Sequence, residues 1–124
     1  MIICPSTLKK QWKEDLEKWA SPLLKEDEKI QIIDKGKDKI EGKVCIISTD
    51  LAAKMKDELS NKFNVIVLDE SHSIKDFKSL RSKNLCPLLK DSKRTILLSG
   101  KNIIFNFLII FFINFFYFYF YFYF

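Results

Sequence analysis

Apolar residues fall along the chain in short runs separated by amphipathic stretches; the runs predict strands and the stretches predict helices. Met1-Ile2-Ile3-Cys4 is a buried-strand run that stops at Pro5-Ser6. Leu8, Trp12, Leu16 and Trp19 then recur at helical spacing, with Lys9, Lys10, Lys13, Glu14, Glu17 and Lys18 on the opposite face. Ser6 or Thr7 is placed to cap this helix, Ser21-Pro22 ends it, and both tryptophans read as core. A second strand is predicted within Lys29 to Asp34, before a turn at Lys35-Gly36-Lys37. Val44 to Ser48 is apolar throughout, which suits a strand covered on both faces. Asp50 is the expected cap of a helix through Leu51 and Met55, continuing in pieces to Leu59. Phe63 to Leu68 is the strongest strand and ends on Asp69-Glu70. Ser71 to Asp76 reads as a loop before a helix carrying Phe77, Leu80, Leu85, Leu88 and Leu89, disturbed near its end by Pro87. Thr95 to Leu98 is the last strand and closes at Ser99-Gly100.

Strands that alternate with helices, several of them apolar throughout, predict an α/β fold with a parallel sheet. Ligands of such sheets bind at the carboxyl ends of the strands. Here those ends carry Pro5-Ser6, Ser48-Thr49-Asp50, Asp69-Glu70 and Ser99-Gly100, so the polar residues converge on one edge.

Composition then divides the chain of 124 residues in two. Residues 1–100 form one lobe rich in Lys, Glu and Asp, and 101–124 form an apolar tail. All four Tyr, and every Phe except Phe63 and Phe77, lie in that tail, which is uncharged after Lys101 and alternates Phe with Tyr from Phe116 to Phe124. Three readings compete for it. An apolar stretch from Ile103 to Phe124 is long enough to span a bilayer, although its aromatic alternation is unlike a membrane helix. As a strand it would be an aggregation hazard. The third reading is adopted: every residue type in the tail has a codon made wholly of A and T, which suggests translation through an intron or past a frameshift.

The chain holds 21 Lys and Arg against 16 Asp and Glu, an excess that is compatible with a nucleic-acid partner without demanding one. Cys4, Cys45 and Cys86 are odd in number, widely spaced and set in apolar runs, which points to a reducing compartment rather than a disulfide framework or a metal knuckle. The amino terminus lacks the pattern of a signal peptide.

The candidate chemistry lies at Asp69-Glu70-Ser71-His72. Nucleoside triphosphate hydrolysis needs neutralisation of phosphate charge and a group that orients the attacking water. Two adjacent carboxylates ending a buried strand supply both roles: Asp69 to hold a magnesium ion and Glu70 as general base. Ser71 and His72 follow on the loop, placed to sense the nucleotide state. On the dipeptide alone, a solvated loop or helix cap is the commoner reading; the full strand Val65-Ile66-Val67-Leu68 before it shifts the balance.

The segment Val65 to His72 resembles motif II of superfamily-two helicases in the form used by Swi/Snf-type DNA translocases. Three further segments resemble that family in the same order. Ile3-Cys4-Pro5-Ser6-Thr7-Leu8, with Gln11-Trp12 and Glu17-Lys18-Trp19, is similar to motif Ia and its helix. Val44 to Leu51 is similar to motif Ib, and Ile96-Leu97-Leu98-Ser99-Gly100 to the start of motif III. Ile74-Lys75-Asp76 and Arg81 make the pattern most similar to the HepA-related annealing helicases. The resemblance covers about residues 1–100 and implies a partial RecA-like lobe of a DNA-dependent ATPase. It further implies ATP and Mg2+ as cofactors, and a nuclear location. The implied partners are double-stranded or forked DNA, together with chromatin or repair proteins; a membrane is not among them. Asp69 and Glu70 would handle magnesium and water, and His72 and Ser99 would couple nucleotide state to movement. Pro5, Ser6 and Thr7 would contact the DNA backbone, assisted by Lys9 and Lys10 unless these only solvate the helix face.

The chain departs from that pattern in two places. It holds no Gly-rich phosphate loop, since Gly100-Lys101 is followed by Asn102, and motif III breaks where the family continues Ser-Gly-Thr-Pro. Without a phosphate cradle or a second lobe, this chain alone is expected to bind ATP poorly and hydrolyse it negligibly. Three rival readings follow. They are a non-catalytic interaction module on the same fold, a membrane-anchored α/β protein, and a superfamily-two RNA helicase.

Overall fold

The computed structural model of the protein describes residues 1–25, 28–100 and 120–121. Five strands and four helices follow one another through the first hundred residues. They run β1 (Ile2–Cys4), α1 (Lys9–Trp19), β2 (Ile30–Ile33), β3 (Val44–Ser48), α2 (Thr49–Lys54), α3 (Lys56–Leu59), β4 (Val65–Leu68), α4 (Leu80–Asp91) and β5 (Arg94–Leu98). A two-residue strand, β6 (Phe120–Tyr121), lies beside β5. The order across the sheet is β2-β3-β1-β4-β5-β6, and every neighbouring pair is parallel. The predicted α/β class is therefore the observed one. Apart from β6, the tail and its three readings lie outside the described residues.

The two faces of the sheet are covered by different helices. Ile3, Ile47, Ile66, Leu68 and Leu97 point to one face, where residues of α2, α3 and α4 close over them in the main core. Ile2, Cys4 and Ile46 point to the other, where Leu8, Trp12 and Leu16 pack on them. Among the described residues, large side chains such as Ile3, Ile46, Ile47 and Leu68 are under 2 % exposed. Each contributes roughly 1.5–3 kcal/mol by leaving water. Because α1 leads from β1 toward β2 on one face, and α4 leads from β4 toward β5 on the other, the winding reverses between β1 and β4. That reversal opens a crevice at their carboxyl ends, the place where doubly wound sheets bind ligands.

Several local expectations change. Neither Ser6 nor Thr7 caps α1: Ser6–Leu8 forms a 3-10 turn, and Leu8 occupies the cap position without a side-chain bond. The turn supplies the capping geometry with backbone alone, the Leu8 N–H donating to the Pro5 carbonyl at 3.0 Å. Asp50 does not cap α2 either, because Ser48 accepts the Leu51 N–H at 3.3 Å and Asp50 falls in the first turn, where Arg81 pairs with it at 2.8 Å. Trp19 is 71% exposed, and Leu80 is 74% exposed. Both keep the expected helical phase, yet each side chain stays mostly in solvent. The Ser71–Ile74 segment is a 3-10 turn rather than an irregular loop. Pro87 sits within α4, which continues to Asp91. Gly42 has a local reason to be glycine: a Cβ there would meet the Gln31 Cβ at 2.6 Å, where Gln31 accepts the Gly42 N–H. Among the described residues no helix is long and apolar enough to cross a membrane.

Candidate functional site

The end of β4 is held from both sides. The Asp69 N–H donates to the Ile3 carbonyl at 2.8 Å, extending the β1–β4 ladder one residue past the strand and fixing the Asp69 backbone at the crevice. Its carboxylate is then gripped at both oxygens. The Glu70 N–H donates to Oδ1 at 2.8 Å, and the Trp12 indole Nε1–H donates to Oδ2 at 2.9 Å from the far side of the crevice. One lone pair on each oxygen remains outside these bonds.

Glu70 departs from ordinary backbone geometry, with φ 53 and ψ 47 in the left-handed region. For a residue with a Cβ this costs about 1–2 kcal/mol, and such strain concentrates at functional sites. The kink turns the chain from β4 into the Ser71–Ile74 turn and brings the Glu70 Oε2 to 2.9 Å from the His72 Nδ1. That pair is at ion-pair distance but is not aligned as a hydrogen bond, for both atoms are buried without one. Ser71 and Ser73 likewise bury their Oγ atoms without partners. Four successive residues with unsatisfied buried polar atoms depart from the usual pairing of such groups. The turn is anchored from below, where the buried Ser82 hydroxyl donates to the Ile74 carbonyl at 3.1 Å.

The other predicted residues gather at the same edge. A recess of about 960 Å³ opens between α1 and the ends of β4 and β5, and it is lined by Trp12, Trp19, Asp69, Leu98, Ser99 and Gly100 among others. Ser99 therefore shares a recess with Asp69. Pro5, Ser6 and Thr7 lie at the end of β1, with Ser6 and Thr7 exposed. Lys9 is drawn away from any such role: its ammonium pairs with Asp34 and also donates to the Ile33 carbonyl at 3.4 Å, while Lys10 stays exposed. Trp12, expected in the core, does pack on β1 and β3, but its indole N–H also reaches Asp69, which helical spacing alone does not reveal. The available signal was that a buried indole N–H requires an acceptor.

Electrostatics of the crevice are legible at Cys4. Burial, with the Asp69 charge adding to it and the Lys9 charge opposing it, pushes the thiol up to about 11. Cys45 and Cys86 are raised as well, mainly by burial, and all three are free. Among the described residues no three His, Cys, Asp or Glu side chains cluster as a metal cage. The arrangement suits magnesium nonetheless, because that ion takes one or two carboxylates and completes its shell with water and phosphate oxygens. The open lone pairs of Asp69 would fit that role.

The fold and the loop at its switch point together define a RecA-like lobe. Comparison with known proteins gives the family. Residues 1–107 match the SNF2-related domain, and the chain belongs to that family. It is 38% identical over 101 residues to the SWI/SNF-related matrix-associated actin-dependent regulator of chromatin subfamily A-like protein 1 of Bos taurus, covering 81% of this chain and 10% of that protein. It is 34% identical over 108 residues to the DNA annealing helicase and endonuclease ZRANB3 of Homo sapiens, again covering 81% of this chain and 10% of the relative. Among solved structures it is similar to the Sulfolobus solfataricus SWI2/SNF2 ATPase core in complex with dsDNA. That match has a TM-score of 0.69 at 22% identity and covers 86% of this chain and 22% of that one. The chain thus spans about a tenth of the length of the curated relatives it matches.

Proposed function

We propose that these residues form part of the first lobe of a DNA-dependent ATP hydrolase of the annealing-helicase kind. Its full-length form would act on double-stranded or forked DNA in the nucleus, alongside chromatin or repair proteins. The observation that carries the reading is the Asp69-Glu70-Ser71-His72 loop at the switch point of a sheet whose family match runs through it. In this reading Asp69 would hold Mg2+ through the lone pair that each of its hydrogen-bonded oxygens keeps open, and Glu70 takes a proton from the attacking water. The bound ion would neutralise phosphate charge. His72, in contact with Glu70, and Ser99, which lines the recess with Asp69, transmit the state of the nucleotide. The exposed Ser6 and Thr7 hydroxyls meet the DNA backbone, which hydroxyls and main-chain amides bind without reading sequence.

In this reading residues 1–100 are the partial lobe, and the tail takes no part in the chemistry. Strain and unpaired polar atoms at Glu70, Ser71, His72 and Ser73 support a working site over an inert interaction module. The test is ATP hydrolysis by the protein that carries this lobe, with and without forked DNA. Asp69→Asn and Glu70→Gln should each lower the DNA-stimulated rate by about a hundredfold or more, as loss of a general base or its metal does. Full activity in either variant refutes the assignment.

A further inference from the structure

We propose that Trp12 is a positioning residue for the metal-holding carboxylate: its indole N–H, and not its ring alone, sets the orientation of Asp69. The inference rests on the reading of Asp69 given above and extends it to a residue on another element.

Asp69 has two anchors of different kinds. The Glu70 N–H on Oδ1 is supplied by the next residue and travels with the loop. The Trp12 N–H on Oδ2 comes from a residue 57 positions away, on α1, and does not. One anchor leaves a carboxylate free to pivot about the bonded oxygen. Two anchors, one on each oxygen, fix its plane and direct the remaining lone pairs. Partners of this kind, behind a metal ligand, orient the ligand and tune its affinity.

Packing alone accounts for only part of Trp12. Its ring lies with Leu8, Leu16 and Val67 against Ile2, Cys4 and Ile46, a position that a phenylalanine could fill. Trp19, on the same stripe, is 71% exposed, so the stripe by itself does not demand that its indoles be covered. What distinguishes Trp12 is the one polar atom it carries and where that atom points. Asp69 and Trp12 also line the same recess, so the bond forms at the wall of the site rather than beneath it.

The test uses the 124-residue chain with 15N-labelled indoles and Mn2+ alone as the probe. In the wild type the Trp12 indole N–H should be protected from hydrogen exchange, and Mn2+ should broaden its signal. Asp69→Ala should abolish both effects. Trp12→Phe should weaken Mn2+ binding about tenfold, the usual cost of losing such a partner. Replacement of Trp12 by benzothienylalanine, which keeps the ring shape and lacks only the N–H, should weaken it equally, and it guards against a folding defect in the phenylalanine variant. Leu16→Ala, which removes packing from the same stripe, should lower thermal stability and leave Mn2+ affinity within twofold. If benzothienylalanine binds Mn2+ as tightly as tryptophan, the proposal fails and the reading of Asp69 stands. If Asp69→Ala leaves Mn2+ affinity unchanged, both fall together.

Discussion

The left-handed backbone at Glu70 permits a test that separates strain from side-chain chemistry. Glu70→Ala and Glu70→Gly remove the same carboxylate and the same contact with His72, so they differ only in backbone preference. Alanine at φ 53 and ψ 47 keeps the steric conflict between Cβ and the following carbonyl. That conflict costs about 1–2 kcal/mol. Glycine escapes it but gives the unfolded chain more freedom, worth about 0.5–1 kcal/mol against it. The glycine variant should therefore exceed the alanine variant by about 0.5–1 kcal/mol, the reverse of the order at an ordinary position. Equilibrium urea denaturation followed by circular dichroism reads this difference. With a slope of roughly 1–2 kcal/mol per molar, the midpoints should be separated by roughly 0.25–1 M. An alanine variant as stable as the glycine variant, or more so, would show that the left-handed geometry is not held in solution. Both variants remove the proposed general base, so any gain in stability from glycine would come with loss of hydrolysis in the full-length protein. Asn61, at φ 59, is the other positive-φ residue outside glycine among the described residues. Asparagine tolerates that region, so glycine there should gain less.

Four further outcomes follow from the geometry. Ser48→Ala should cost about 1 kcal/mol through loss of the cap on α2. Asp50→Ala, which removes an exposed pair with Arg81, should cost at most about 1 kcal/mol, both read by urea denaturation midpoint. Ser82→Ala should cost about 1–3 kcal/mol by leaving the Ile74 carbonyl without its donor, read by denaturant midpoint. At pH 8, iodoacetamide should modify Cys4 about a hundredfold more slowly than a thiol of ordinary ionisation. The two-unit rise from 9.0 to about 11 reduces the thiolate by that factor. The sign for stability follows: because the folded thiol holds its proton longer than the unfolded one, its contribution is full below pH 9 and is lost as pH rises toward 11. Rapid labelling of Cys4 in the folded chain would contradict its burial.

Much of this protein is local, and local information is legible in a sequence. Val44 to Ser48 is a strand in the sequence and in the structure because an apolar run of that length has few other ways to leave water. The convergence of Pro5-Ser6, Asp69-Glu70 and Ser99-Gly100 on one edge follows once the strands are parallel, and the alternation of strands with helices predicts that they are. Caps were misplaced by one or two residues because Ser6, Thr7, Ser48 and Asp50 all have capping chemistry. Which of them turns toward a free N–H is decided by the path of the chain. Trp12 and Trp19 show the larger division. Both lie in the same helical phase, yet one is seated against β1, β3 and β4 with its N–H on Asp69, and the other stays mostly in solvent at the rim of the recess. Periodicity determines which side of a helix is apolar; only the assembled sheet decides what stands opposite it. The Asp69-Glu70 pair was readable as a motif from its neighbours in the chain. The anchoring of Asp69 by a residue 57 positions away and the bend of Glu70 into left-handed geometry arise from long-range contacts, and these exist only once the chain has folded.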